Sequence, residues 1–175
     1  TVASSATSIS DITPDSLRFM RSYLPAYRQE RQSINLRLSG RFWHEMLQWQ
    51  PGKADQISLY EKIRVLDPQP DAAAVARILS NLHQTLPQLS SLQAEQSWAG
   101  YIDTMPDAIP VISGIESVPG MFLATGFSGH GFGIGPGAGQ LMADLVSGST
   151  PSVEPRPFRF SRFTDGEKIQ AQHWL

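Results

Sequence analysis

Between Thr125 and Leu141 the chain reads G-F-S-G-H-G-F-G-I-G-P-G-A-G-Q, and this run holds seven of its 14 glycines: Gly126, Gly129, Gly131, Gly133, Gly135, Gly137 and Gly139. Such density carries a large conformational-entropy cost, so it belongs where backbone must take positive φ or approach another object closely. A flat ring or a phosphate is such an object. Flexible linkers share the glycine content, but they lack the interleaved Phe127, Phe132 and Ile134 found here. The short apolar runs I-P-V-I (109–112) and M-F-L-A (121–124) stand upstream, bounded by Pro106, Asp107, Gly114, Pro119 and Gly120, and read as buried strands between turns. Downstream, Q-L-M-A-D-L-V is expected to be helical, with Gly148 past its end. Strand, glycine loop and helix make an arrangement suited to a cofactor, because a helix start offers unpaired N–H groups and partial positive charge.

Two common phosphate motifs fail against this run. Gly133, Gly135 and Ala138 match G-x-G-x-x-A, but Pro136 interrupts the match. About twenty positions on, where a ribose-binding acid belongs, Glu154 falls in a proline-rich tail. No G-x-x-x-x-G-K-[ST] is present.

The rest of the chain is read more coarsely. Asp11 or Thr13 before Pro14 marks a helix start; Leu17, Met20 and Leu24 share one face, and Pro25 is expected to end the helix. Ile34, Leu36 and Leu38 alternate with Asn35 and Arg37, which is strand periodicity. The turn-rich stretches 50–56 and 67–71 isolate I-S-L-Y-E-K-I-R-V-L, one further strand. A helix capped by Asp71 follows, with Val75, Ile78, Leu79, Leu82 and Leu86 as its core stripe and Pro87 as its stop. The segment T-P-S-V-E-P-R-P-F-R-F-S-R-F reads as a tail laid across a surface. Met20, Met46 and Met142 sit at core-like positions and suggest packing.

Composition narrows the function classes. Apolar residues make up 41% and charged residues 17% of the 175, as in globular proteins, and the net charge of −2 provides no field for nucleic acid or an anionic membrane. With no cysteine, disulfides and thiolate metal sites are excluded. His44, His83 and His173 lack metal-ligand spacing. The start T-V-A-S-S-A-T-S-I-S has neither the basic nor the apolar part of a signal peptide, and no window approaches a membrane span. A cytoplasmic chain is expected, and its start at Thr1 reads as that of a processed or truncated product.

Three stretches together carry a resemblance. W-A-G-Y-I-D-T-M-P-D-A-I-P-V-I (98–112), P-G-M-F-L-A-T-G-F-S-G-H-G-F-G-I-G-P-G-A-G-Q-L-M-A-D-L (119–145) and P-F-R-F-S-R-F (157–163) closely resemble the C-terminal end of flavoenzymes of the D-amino-acid-oxidase type, a group that includes glycine and sarcosine oxidases. The resemblance implies a mixed α and β (α/β) fold: a substrate-domain portion over 1–105, the last strand and helix of an FAD domain over 106–150, and a tail over 151–175. It also implies FAD as cofactor, with Gly126, Ser128, Gly129, His130, Gly131, Phe132 and Gly133 beside the isoalloxazine ring. The chemistry implied is hydride transfer from the amine-bearing carbon to flavin, followed by hydrolysis of the imine.

His130 stands as the one candidate for acid–base duty, against packing on the flavin or satisfaction by backbone. Trp98 and Tyr101 are candidate walls of a substrate pocket, with core packing the alternative, and Arg41 or Arg64 is a candidate cation. Asp103 and Asp107 read as turn formers. Relatives of the sarcosine-oxidase kind place a lysine where this chain has Gly133, and those of the glycine-oxidase kind an arginine near Tyr101, Ile102 and Asp103, so the substrate stays open. The fingerprint that holds the ADP half of FAD is absent from the sequence. The expected partner is therefore an N-terminal half of the same enzyme or a second FAD-binding subunit, besides a small amine or amino-acid substrate. The alternatives are a non-catalytic assembly subunit and a binding module for another flat ligand.

Overall fold

A computed structural model describes residues 1–3, 8–48, 57, 61, 65 and 67–169. Most of the expected strand over 57–66, Arg64 included, and His173 lie outside the described residues. Backbone contacts divide the chain into two compact units, Thr1–Arg18 with Arg31–Tyr101 and Phe19–Glu30 with Ile102–Leu175. The elements are of mixed α and β type.

In the first unit, β1 (Ser8–Asp11) pairs in parallel with β2 (Ile34–Arg37), the alternating segment, in the register Ser8↔Ile34 to Asp11↔Arg37. The last register pair is also an ion pair: Arg37 Nε donates to Asp11 Oδ1 at 2.7 Å and Nη2 to Oδ2 at 3.1 Å. That hydrogen bond holds the Asp11 carboxyl below the ordinary carboxylate range. Helix α1 (Pro14–Arg18) and helix α3 (Gly40–Gln48) belong to the same unit. Helix α4 (Ala72–Thr85) is capped as its sequence requires, the Asp71 side chain accepting from the Ala74 N–H at 2.7 Å, and a 3-10 turn at Pro87–Leu89 follows. Its stripe is half-buried rather than core: no residue of α4 is fully buried, and Leu86 is exposed.

The second unit contains α2 (Met20–Glu30), β3 (Val111–Gly114), β4 (Phe122–Thr125) and α5 (Gly131–Ser147). The expected helix from Pro14 to Pro25 is broken at Phe19 into α1 and α2, so Leu17 stands on a different helix from Met20 and Leu24, and Pro25 lies inside α2 rather than ending it. Met20 and Met46 are exposed, so the packing expected of them is absent, whereas Met142 does pack against the core. β3 and β4 form an antiparallel hairpin, Val111↔Thr125 to Gly114↔Phe122. β3 starts buried, with Val111 and Ile112 at 1% and 2% exposure, but β4 is partly exposed along its length, contrary to the expectation of two buried strands. Ile112, Ala138 and Leu141 make the core, with Phe127, Met142, Leu145 and Phe158 against it.

The largest departure lies in the glycine run. Helix α5 begins at Gly131 and takes in five of its glycines and Pro136, nine residues before the expected start at Gln140. Burial of Ala138, Leu141, Met142 and Leu145 on one side outweighs the poor helix propensity of the rest. The left-handed Gly148, φ 69°, closes the helix, and Ser149 N–H returns to Asp144 O.

The expected tail is two 3-10 turns, Arg156–Phe158 and Phe160–Phe163. Phe160 N–H donates to Ser113 Oγ at 2.9 Å, and Arg162 is buried against Asp107. Among the described residues no helix is long and apolar enough to cross a membrane, and no cluster of metal-ligating side chains occurs.

Candidate functional site

With the helix starting at Gly131, the loop proper is Gly126 to His130, and three of its residues have positive φ: Gly126 at 72°, Ser128 at 51° and Gly129 at 84°. Gly126 is the position where glycine is obligatory, since a Cβ there would overlap the Met105 side chain. Ser128 tolerates the left-handed region because its N–H and hydroxyl are engaged. Its N–H donates to Asp103 O at 2.9 Å, and its hydroxyl accepts from Met105 N–H at 3.0 Å and donates to Gly126 O at 3.2 Å. The Asp103 carboxylate completes the lacing: one oxygen, Oδ2, accepts from Gly126 N–H and from the Thr125 hydroxyl, both at 2.8 Å. Residues 103–105 are themselves tied to α2, where the Tyr23 hydroxyl donates to Thr104 O at 2.9 Å. Burial, with the Asp103 and Asp107 carboxylates nearby, pushes the Tyr23 hydroxyl above its ordinary pKa of 10.0.

What this lacing leaves over is the chemically useful part. His130 N–H turns back to Phe127 O at 2.8 Å, and the Gly133 and Ile134 amides bond His130 O. Among the described residues the amides of Gly129, Gly131 and Phe132 have no acceptor, the last two being first-turn donors of α5. Phe132 is entirely exposed, and a Cβ added at Gly133, Gly135, Gly137 or Gly139 would meet nothing within 4 Å. An anchored loop with free amides, beside helical turns stripped of side chains, fits a planar group that gathers negative charge at one edge.

Arg41, Trp98 and Tyr101 fall in the first unit. Arg41 and Tyr101 are brought together, with the guanidinium carbon 5.7 Å from the ring centroid, and Trp98 is exposed. Arg41 is also paired with Glu45 one helical turn on, and this hydrogen bond raises the guanidinium pKa further. Asp107 does close a turn, accepting from Ile109 N–H at 3.1 Å. The part of Asp103, Met105 and Thr125 in holding the loop was not visible beforehand, since 22 residues separate Asp103 from Thr125 and no spacing rule links them.

Comparison with known proteins shows the family. The sequence model of the family DAO, FAD dependent oxidoreductase, matches residues 13–145. FAD-dependent oxidoreductase domain-containing protein 1 of Mus musculus is 35% identical over 101 residues, 57% of this chain and 21% of the relative. Glycine oxidase of Pseudomonas aeruginosa is 32% identical over 92 residues, 53% of this chain and 25% of the relative. Among solved structures, the L-amino acid deaminase from Proteus vulgaris superposes with a TM-score of 0.77 at 25% identity, over 89% of this chain and 36% of that one. The matched region thus spans about a fifth to a third of these proteins.

Proposed function

Because the chain belongs to the DAO family of FAD-dependent oxidoreductases, we propose that it supplies the flavin-facing part of an enzyme that oxidises the C–N bond of an amino acid or secondary amine. When bound, FAD would supply the electron acceptor for a hydride leaving the amine-bearing carbon, and the imine so formed would hydrolyse in water. In this reading the amides of Gly129, Gly131 and Phe132 donate to the cofactor edge where charge collects, with the start of α5 behind them. The Phe132 ring and the bare backbone from Gly133 onward lie along the cofactor or the chain that carries it.

The substrate and the partner belong to the same proposal. Arg41 and Tyr101, held together in the first unit, offer a cation and a hydroxyl to a substrate carboxylate, and Trp98 offers an apolar wall. His130 is kept as the candidate proton acceptor, with its ring exposed at the mouth of α5. The ADP half of FAD is assigned to an N-terminal half of the same enzyme or to a second FAD-binding subunit. Support for such a partner comes from apolar surface on α5, where Phe132, Ile134 and Val146 are all exposed.

The observation that carries this reading is the set of acceptor-free amides at the end of a loop whose Gly126, Ser128 and His130 amides are bonded. Its test is to produce the chain with its FAD-carrying part and follow the flavin absorption under anaerobic conditions while amino acids and N-methylated amino acids are added. Bleaching of the oxidised band by one of them is expected. A colourless assembly, or a flavin that no amine reduces, would overturn it.

A further inference from the structure

We propose that Asp103 is the positioning residue of the flavin loop, its carboxylate fixing Gly126 and its carbonyl fixing Ser128 so that the amides of Gly129, Gly131 and Phe132 stay free and in place. This inference rests on the flavin assignment above and adds to it the device that sets the site.

Three positive-φ residues within four positions, one of them not glycine, do not make a loop that holds its own shape. Such backbone persists where surrounding bonds over-determine it. Here they come from one short segment. Asp103 takes the Gly126 amide and the Thr125 hydroxyl on Oδ2 and the Ser128 amide on its main-chain oxygen, while the next residue but one, Met105, donates its amide to Ser128 Oγ. The Met105 side chain fills the space where a Gly126 Cβ would stand, and Tyr23 holds the Thr104 carbonyl from α2. Loop and segment are thereby locked from both sides. Each loop group consumed by this lock is unavailable to a ligand, and the amides of Gly129, Gly131 and Phe132, which the flavin reading employs, are among those it leaves.

Both carboxylate bonds fall on Oδ2, and this separates a positioning role from an electrostatic one. An amide at this position keeps both bonds by presenting its carbonyl oxygen, and loses only the charge. Asp103→Asn should therefore rescue what Asp103→Ala destroys.

The test uses the assembled, flavin-loaded protein. FAD affinity, the position of the flavin absorption band, and hydrogen exchange at the Gly126 and Ser128 amides are measured for wild type, D103A and D103N. Asp103→Ala is expected to weaken FAD binding about tenfold or more, shift the band and accelerate exchange at both amides, while D103N stays within about threefold of wild type. Ser128→Ala breaks the lock from the other side and moves the same readouts in the same direction, which decides the matter if D103A yields no folded protein. A wild type that takes up FAD beside a D103A that takes it up equally well, with an unchanged spectrum, overturns this inference alone, as does a D103N as impaired as D103A. A wild type that takes up no FAD overturns the flavin assignment together with it.

Discussion

Arg162 and Asp107, 55 residues apart, meet in a buried bidentate pair: Nε reaches Oδ2 at 2.8 Å and Nη2 reaches Oδ1 at 3.2 Å. The guanidinium also donates to Ile109 O at 2.6 Å and Arg159 O at 2.9 Å, so the pair ties the C-terminal turns to the segment leading into β3. Removing one partner strands a charge. Arg162→Met is expected to destabilise the protein by about 3–5 kcal/mol, and adding Asp107→Leu to recover much of that loss. Urea unfolding of the single and double variants measures both.

Gly126→Ala should be among the costlier single changes in the second unit. The left-handed backbone alone disfavours alanine by about 1–2 kcal/mol, and the added methyl meets Met105. Trimming Met105 to alanine in the same chain relieves the overlap but not the backbone term, so thermal denaturation of the pair is expected to show partial recovery.

Phe132→Ala separates stability from ligand binding. Its ring is entirely exposed, so the stability without cofactor should hold to within about 0.5 kcal/mol. FAD affinity or partner assembly should fall, as measured by titration calorimetry. An assembly that forms and takes up FAD as well as wild type would remove Phe132 from the proposed contact.

The Tyr23 hydroxyl gives the protein an alkaline limit. Its pKa in the folded chain is raised above 10.0, first by burial and then by Asp103 and Asp107. Stability linked to this proton is complete below the unfolded-state value and is lost as pH climbs through the folded one. Tyr23→Phe, which lacks the hydrogen bond to Thr104 O, should cost about 1 kcal/mol at neutral pH, with the gap to wild type narrowing above pH 10. Unfolding curves from pH 8 to about 11, alongside tyrosinate absorbance, check the sign.

How much of this was legible follows from the range of the forces involved. The Asp71 cap, the Pro87 stop and the alternation over Ile34–Arg37 are local signals, and each fixed its element. The start of α5 was misplaced because glycine and proline content argues against a helix, while the burial of Leu141 beside Ile112 that decides the matter is a tertiary effect. Pro25 misled for the same reason. The family resemblance singled out the loop over Gly126–His130, yet gave no sign of what holds it. Asp103 looked like a turn former because its hydrogen-bonding partners lie more than twenty residues downstream.

The uneven build of α5 has a thermal consequence. Its anchoring residues, Ala138, Leu141, Met142 and Leu145, all lie beyond the first two turns, whereas Gly133, Gly135, Gly137 and Gly139 each cost about 1 kcal/mol against alanine and Pro136 up to about 3. The first two turns are therefore expected to fray before the last two, which carry the packed residues. Whatever settles on the bare turns freezes them as it docks, and on warming its departure and their fraying coincide, well before the hairpin and the seated half of the helix come apart.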